Sequence, residues 1–597
     1  MTTSNLRRLL AALALSALVL AGCSSSDEGD TAEDTTEDTG AEATDEEATD
    51  EEATDEEEPS DEEATDEEEP SDEGDEAASG DRVSTYIGQP ESLTTTNNTE
   101  SEGNAVLSAL YTMLIDYDSE NNYEPVMANA ESIETEDNQT YVVTLKDGWT
   151  FHDGTPVTAE SYVNAWNYAA YGPNAQSVSG FFLPIAGYED LQCGTTTDAD
   201  GEEVSDCDAS PPAAEAMSGL TVDSDTQFTI TLTEAEPFFV TRLGYPAYAP
   251  LPEAFYDDPA AFDRAPIGNG PFMMAGEWED DVVINTDAFP DYQGEPAQIP
   301  GIEFRIYADV NTAVTDLVAG NLDIVDAVPP EQWESTISQV PNSDLSPSSS
   351  INYIGFPNYA PPFDDATLRA ALSMAIDREA ITEGIFGGLR QPANNILAPV
   401  IPGYEDVVCD EWTFNPELAA EKFEEFGGVD ALGDSIEIWF NEGGGHDLWM
   451  DAVITQWEQN LGIPASSVNF QQLPFAEYLE LADTQQFTGP FRLGWGMDYP
   501  HPQNYLQILL ELTAPEGGNN ATFWTNDEYS SLIAEALAVP DVEESLPTWQ
   551  EANAVACSEA PVAPMFYGQN SYAWNDGVSG VSVDAFSNLD YTALTLG

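Results

Sequence analysis

DGWTFHDGTPVTAESYVNAW, residues 147–166, carries a turn, a helix start and one apolar helix face in a short run. Just upstream, YVVTLKDGWTF (141–151) alternates polar and apolar residues about a Lys-Asp-Gly turn, which predicts a β-hairpin. Downstream, Thr158 is placed to cap a helix with Glu160 in its first turn. Tyr162, Trp166, Ala169 and Ala170 share one side of that helix and are expected in a core. The strand-then-helix pattern recurs along the chain. FTITLTEAE (228–236) reads as a strand, and GIEFRIYADVNTAVTDLVAGNLDIVDAV (301–328) as strand, helix, strand. DDATLRAALSMAIDREAITEGIFGG (364–388) predicts one helix. Asp364 or Asp365 caps it, Leu368, Ala371, Leu372, Ala375 and Ile376 form its buried stripe, and Gly387-Gly388 ends it. SIEIWFNEGGGHDLWMDAVITQWEQNLGI (435–463) is again strand then helix. The fold class is α/β with mixed sheets.

The N-terminal end is of a different kind. Arg7 and Arg8 precede LLAALALSALVL (9–20), an apolar run short for a bilayer, and Leu20-Ala21-Gly22-Cys23 follows. This resembles a bacterial lipoprotein signal at residues 1–22 with Cys23 as the lipidated residue, which anchors a chain to a membrane without spanning it. From Asp27 to Glu76 there are 29 acidic residues and no Lys, Arg or aromatic residue. Residues 23–80 are therefore expected to be the lipidated cysteine and an extended, disordered acidic tether. The whole chain holds 113 acidic and 12 basic residues. Residues 81–597 keep 84 of the acids and ten of the bases, a net charge near −74. Nucleic acid and anionic headgroups are poor partners for such a surface, and adaptation to a saline exterior is expected.

Apart from Cys23 there are four cysteines, and an exported chain with an even number suggests disulfides. Cys193 with Cys207 is favoured because the intervening loop is short, which leaves Cys409 with Cys557. No metal site is read from the cysteines. Catalytic signatures are also missing: there is no G-x-S-x-G, no H-E-x-x-H and no phosphate loop. Gly268-Asn269-Gly270 begins like a dinucleotide fingerprint, but position 273 is Met. His152, His446 and His501 are scattered and are expected in turns or at the surface.

These motifs have a resemblance in common. FHDGTPVTAESYV resembles the "FHDG-x-P-[hydrophobic]-T-A-x-D-V" signature of the family 5 extracellular solute-binding proteins, the oligopeptide- and dipeptide-binding subunits of ABC importers. GNGPFMM (268–274) resembles their "GTGPY" turn, and PPFDDATLRAALSMAIDREAI (361–381) their arginine-bearing helix ending in "AIDR". GWGMDYPHPQNYL (494–506) resembles "GW-x-x-DY-x-[DE]-P", and PVAPMFYG (561–568) lies where members carry a Pro-flanked apolar run. Ser161 and His501 depart from the pattern, each replacing an acid.

The resemblance implies a two-lobed periplasmic-binding-protein-like fold (type II) with an inserted third subdomain. Lobe I is expected at about 81–102, 220–346 and 560–597, the insertion at 103–219 and lobe II at 347–559. FHDG is then structural. Asp498 is expected to pair with a ligand's α-ammonium group, with Trp495 and Tyr499 as flat walls. Arg492 aligns with an arginine that can meet a peptide carboxylate. Phe475 takes the place of a family tryptophan, and Ala482 stands where a second carboxylate-binding arginine occurs. The implied protein is a monomeric, lipid-anchored receptor on the outer face of the cytoplasmic membrane. It takes short peptides, without cofactor or metal, and hands them to an ABC permease, its lobes closing on the ligand with no bond made or broken. The same architecture also serves nickel complexes, haem and oligosaccharides. A secreted hydrolase and a surface adhesin are the other classes.

Overall fold

The computed structural model describes residues 82–119, 121–197, 203–513 and 518–597. Cys23, the signal segment and the acidic run lie outside the described residues.

Residues 141–151 do not form the expected hairpin. Strand Thr140–Leu145 pairs with Ala130–Thr135 on one side and Gln227–Thr231 on the other, and Leu220–Ser224 completes a four-stranded antiparallel sheet. The alternation was real, but the partner is distant: Tyr141 and Val143 need a neighbour with the same buried period, which Phe228 and Ile230 supply. The helix Ala159–Ala170 covers this sheet, with the Tyr162 ring stacked on Phe228 at 5.7 Å. Thr158 and Ser161 close a capping box, so Ser161 does at the third helical position what an acid would do there.

The segment between strand and helix is a tight loop tied to a remote turn. Phe151 N donates to Thr155 O at 2.8 Å. His152 Nδ1 accepts the Gly268 N–H at 3.0 Å, which leaves Nε2–H to donate to Gly270 O at 3.2 Å. Burial pushes the His152 imidazole down to about 4, so it acts as a neutral clasp. Asn269 joins in, accepting from Thr112 N and donating to Thr112 O. His152 thus lies half-buried in a turn, as expected, whereas His446 and His501 are buried among aromatic rings rather than at the surface.

The segment 364–388 is two helices, Ala366–Met374 and Arg378–Phe386. Asp365 caps the first, while Asp377 accepts from Ala380 N and caps the second. Arg378 drives the break. Its buried guanidinium donates to the carbonyls of Ser373 and Ile376, which a continuous helix would have kept for itself, and to Pro564 O on the strand Val562–Trp574.

The larger sheet has eleven strands, and its centre is a pair of long antiparallel strands, Asn342–Gly355 and Val562–Trp574. Their pairing runs from Asn342↔Trp574 to Gly355↔Val562, with an irregularity between Pro347 and Ile351. At the Trp574 end the sheet continues through Ile324–Val325, Val83–Ile87 and Gly301–Ile306, which are mutually parallel. At the Gly355 end it continues through Phe491–Trp495, Ile436–Asn441 and Val468–Leu473, also mutually parallel. The first set runs against Val562–Trp574 and the second set runs with it. The carboxyl ends of both sets therefore point at each other across the middle of the long pair. This is the two-lobed fold, with the carboxyl edges of the two sets facing one another.

Each lobe has its own core. Tyr162, Trp166, Phe228, Tyr248, Phe272 and Ile302 belong to the first. In the second, Ile436, Ile438 and Phe440 alternate onto one face, against Trp449 and Trp457, while Leu493, Met497 and Tyr505 pack on another. Disulfides join Cys193 to Cys207 and Cys409 to Cys557.

Candidate functional site

Strand Phe491–Trp495 delivers the residues of the site to the carboxyl edge of the second lobe. Its Leu493 side goes to the core, which turns Arg492 the other way. Arg492 donates to Asn352 Oδ1 on the neighbouring long strand and, at 3.2 Å, to Asn441 Oδ1 at the end of Ile436–Asn441. No carboxylate lies within ion-pair distance of it among the described residues. Burial pulls its guanidinium down from the usual range, and among the described residues its side-chain hydrogen bonds go to amides.

Beyond Trp495 the chain crosses the middle of the long strands. Met497 N donates to Ser349 Oγ at 3.2 Å, and Tyr505 Oη to Ser349 O at 2.6 Å. That pins Asp498 beside the irregularity. Its carboxylate accepts from Asn504 Nδ2 at 3.0 Å and has no ion-pair partner among the described residues. Burial pushes the Asp498 carboxyl up, while Asn504 and the charge of Arg242 pull it back. Its charge in turn helps push up the hydroxyls of Tyr117, Tyr245 and Tyr248, residues of the first lobe. Asp498 thus lies near aromatic residues of the first core.

The aromatic residues divide. Trp495 is half-buried beside Asp498 and donates its indole N–H to Asn504 Oδ1. Phe475 opens the helix Phe475–Asp483, right after the carboxyl end of Val468–Leu473, and is 53% exposed, unusual for a phenylalanine. Tyr499 is not a free wall. It is 2% exposed, its hydroxyl donates to Gln503, and the Arg242 guanidinium sits 4.6 Å from its ring centroid. That face is taken by a cation from the other lobe. Ala482 is buried in the second core.

Sequence reasoning missed Asn352, Asn441, Arg242 and Asn504. Asn504 lay in plain view within GWGMDYPHPQNYL, but an asparagine after two prolines has no distinctive pattern. Arg242 carried a signal in its rarity as one of ten bases in residues 81–597. Around it a seam forms between the lobes: Phe238 stacks on His501 with centroids 4.4 Å apart, and Arg242 pairs with Glu236. Among the described residues there is no cluster of three metal-ligating side chains, and no helix is long and apolar enough to cross a membrane.

Residues 122–515 match the family model described as bacterial extracellular solute-binding proteins, family 5 Middle. The oligopeptide-binding protein OppA of Bacillus subtilis is 25% identical over 475 residues, covering 77% of this chain and 82% of its own length. Heme-binding protein A of Haemophilus influenzae is 25% identical over 388 residues, covering 60% and 69%. In fold, the chain is similar to the oligopeptide-binding protein AppA of Bacillus subtilis in complex with a nonapeptide. The TM-score is 0.66 at 20% identity, over 87% of this chain and 99% of that one.

Proposed function

Because the chain belongs to the family 5 bacterial extracellular solute-binding proteins, we propose that it is the peptide receptor of an ABC importer. It captures short peptides between its lobes and presents them to a membrane permease. One observation carries the peptide reading. Arg492 and Asp498 stand at the carboxyl edge of one lobe, opposite in charge, and neither has an ion-pair partner among the described residues. A zwitterion with an ammonium group at one end and a carboxylate at the other completes both. Ion pairs made in a water-poor cleft, with hydrogen bonds to the charged groups, are where such partners gain most. Trp495 and Phe475 offer surface for ligand side chains. The oligopeptide-binding relative supports this cargo, while the heme-binding relative marks haem as the alternative.

The finer features belong to the same proposal. Residues 347–559 form the ligand-anchoring lobe, and Cys23 is the lipidated residue that holds the receptor on the outer face of the cytoplasmic membrane. The receptor works as a monomer in a saline exterior.

The test is native mass spectrometry of the full-length protein in molar salt, with a pool of tri- to pentapeptides and the same pool N-acetylated. Free-amine peptides should bind and acetylated ones should not. Asp498→Ala should weaken free-amine binding by about 100-fold, the scale of removing one member of a desolvated charge pair. Equal binding of the two pools would refute the anchor, and binding of neither would move the cargo to haem or another non-peptide solute.

A further inference from the structure

We propose that Asn504 is the positioning residue of the anchor, holding the Asp498 carboxylate and the Trp495 indole in one preset arrangement for an ammonium group. This rests on the peptide-receptor reading above. Asn504 is the second residue of the helix Gln503–Leu510 and is 1% exposed. Its Oδ1 accepts two N–H groups, from Asp498 N at 3.0 Å and from Trp495 Nε1 at 3.2 Å. Its Nδ2 donates to Asp498 Oδ2 at 3.0 Å. A side-chain amide offers two donors and an acceptor oxygen with two lone pairs, so three of its four possible bonds go to this one anchor.

Those bonds also set the orientation of the amide. Flipped, its NH2 would face two N–H donors and its oxygen would face a carboxylate, so only one orientation is satisfied. Asp498 Oδ2 is thereby committed, and Oδ1 has no hydrogen-bond partner among the described residues. The open oxygen is the one a ligand N–H can take. The loop that closes onto Asn504 is short and contains Pro500 and Pro502, whose fixed φ limits its freedom. His501 Nδ1 accepts from Gln503 N at 3.1 Å, and Asn504 N donates to His501 O at 3.1 Å, which closes it further. Asn504 acts electrostatically as well: a hydrogen bond given to the ionised carboxylate favours that form against the cost of burial. Asn504 therefore fixes where the carboxylate points, when it is charged, and how the neighbouring indole lies, without touching the ligand.

The test uses full-length wild type, Asn504→Ala, Asn504→Asp and Asp498→Ala, with the free-amine and N-acetylated pools, from pH 4 to pH 8. Asn504→Ala should weaken free-amine binding about tenfold, the scale of one hydrogen bond to a charged group. It should leave acetylated peptides unaffected and move the acid loss of binding to higher pH. Asn504→Asp should be worse, since it places a second carboxylate against Asp498. If Asn504→Ala does not fold, Asn504→Ser, which can still accept one N–H, takes its place in the same comparison. Folded variants with wild-type affinity and an unmoved acid limb would overturn the inference. So would a loss of affinity with no shift of that limb, which is what a merely structural residue gives. Asp498→Ala separates the two failures. If it abolishes the preference for free amines while Asn504 variants leave it intact, only the positioning role falls. If wild type itself shows no preference, the receptor reading falls and this role with it.

Discussion

Arg492 and Asp498 lie six positions apart in the chain and share an environment that is expensive for a charge. Burial penalises both, and what offsets it is amide hydrogen bonding, helped at Asp498 by the charge of Arg242, with no ion pair to either among the described residues. Such groups should show themselves through binding. Arg492→Gln should weaken binding of peptides with a free C-terminus by about 30-fold and leave C-amidated peptides little changed, measured by titration calorimetry. An equal loss for both would make Arg492 a structural residue. The raised Asp498 carboxyl has a consequence with a definite sign. Ammonium ligands need it ionised, so their affinity should be lost on acidification at a higher pH than an ordinary aspartate would give. Asp498, Arg492 and Trp495 are expected from sequence because they stand in or beside one short motif, whereas Phe475, 19 positions upstream of it, is expected only through the family resemblance. Tyr499 stands in the motif too, but which side of its ring meets a ligand depends on Arg242, some 250 positions away in the chain, and nothing local encodes that.

At the scale of elements, two motifs that read as separate signatures prove to be halves of one clasp. The FHDG loop and the GNG turn meet through both nitrogens of His152, and the turn lies so close to the end of the helix Ser101–Leu110 that no side chain fits at Gly268 or Gly270. A Cβ on Gly268 would stand 2.0 Å from Leu110 O. Gly268→Ala should therefore cost about 1–3 kcal/mol, seen as a lower melting temperature with ligand specificity unchanged. The seam between short helix Phe239–Arg242 and residues 499–501 makes a different prediction. Burial, and then the charge of Arg242, push His501 down to about 3, against about 6.5 for a free imidazole. A base with a depressed value stabilises the folded state fully above about pH 6.5, and that contribution is lost as pH falls toward the folded value. Calorimetry at pH 7 and pH 5 should find His501→Asn losing less stability than wild type, by up to about 2 kcal/mol. Equal losses would remove His501 from the account. The expected helix 364–388 failed for a related reason. Its apolar stripe was right, but the demand of buried Arg378 for carbonyl oxygens broke it.

For the molecule as a whole, charge sets the terms of stability. With 84 acids against ten bases in residues 81–597, self-repulsion opposes the compact state, and salt screens it over about 10 Å at 0.1 M and about 3 Å at 1 M. The melting temperature should rise steadily from low salt to molar salt. A flat or falling curve would mean that the acids are spaced widely enough not to repel. The sequence by itself determined the α/β class, the helix starts, the alternating strands and the run of motifs that resembles the solute-binding family. Those features depend on residues near one another in the chain, through capping, periodicity and turn chemistry. Only the tertiary structure decided which strands pair, that Thr140–Leu145 seeks Gln227–Thr231, and that two sets of carboxyl ends confront each other across the long strands. It also decided that Tyr499 is covered while Asp498 and Arg492 make no ion pair among the described residues. Pairing, burial and the meeting of charges are settled between segments far apart in the chain, and the pattern within any one segment is compatible with several partners until the cores pack.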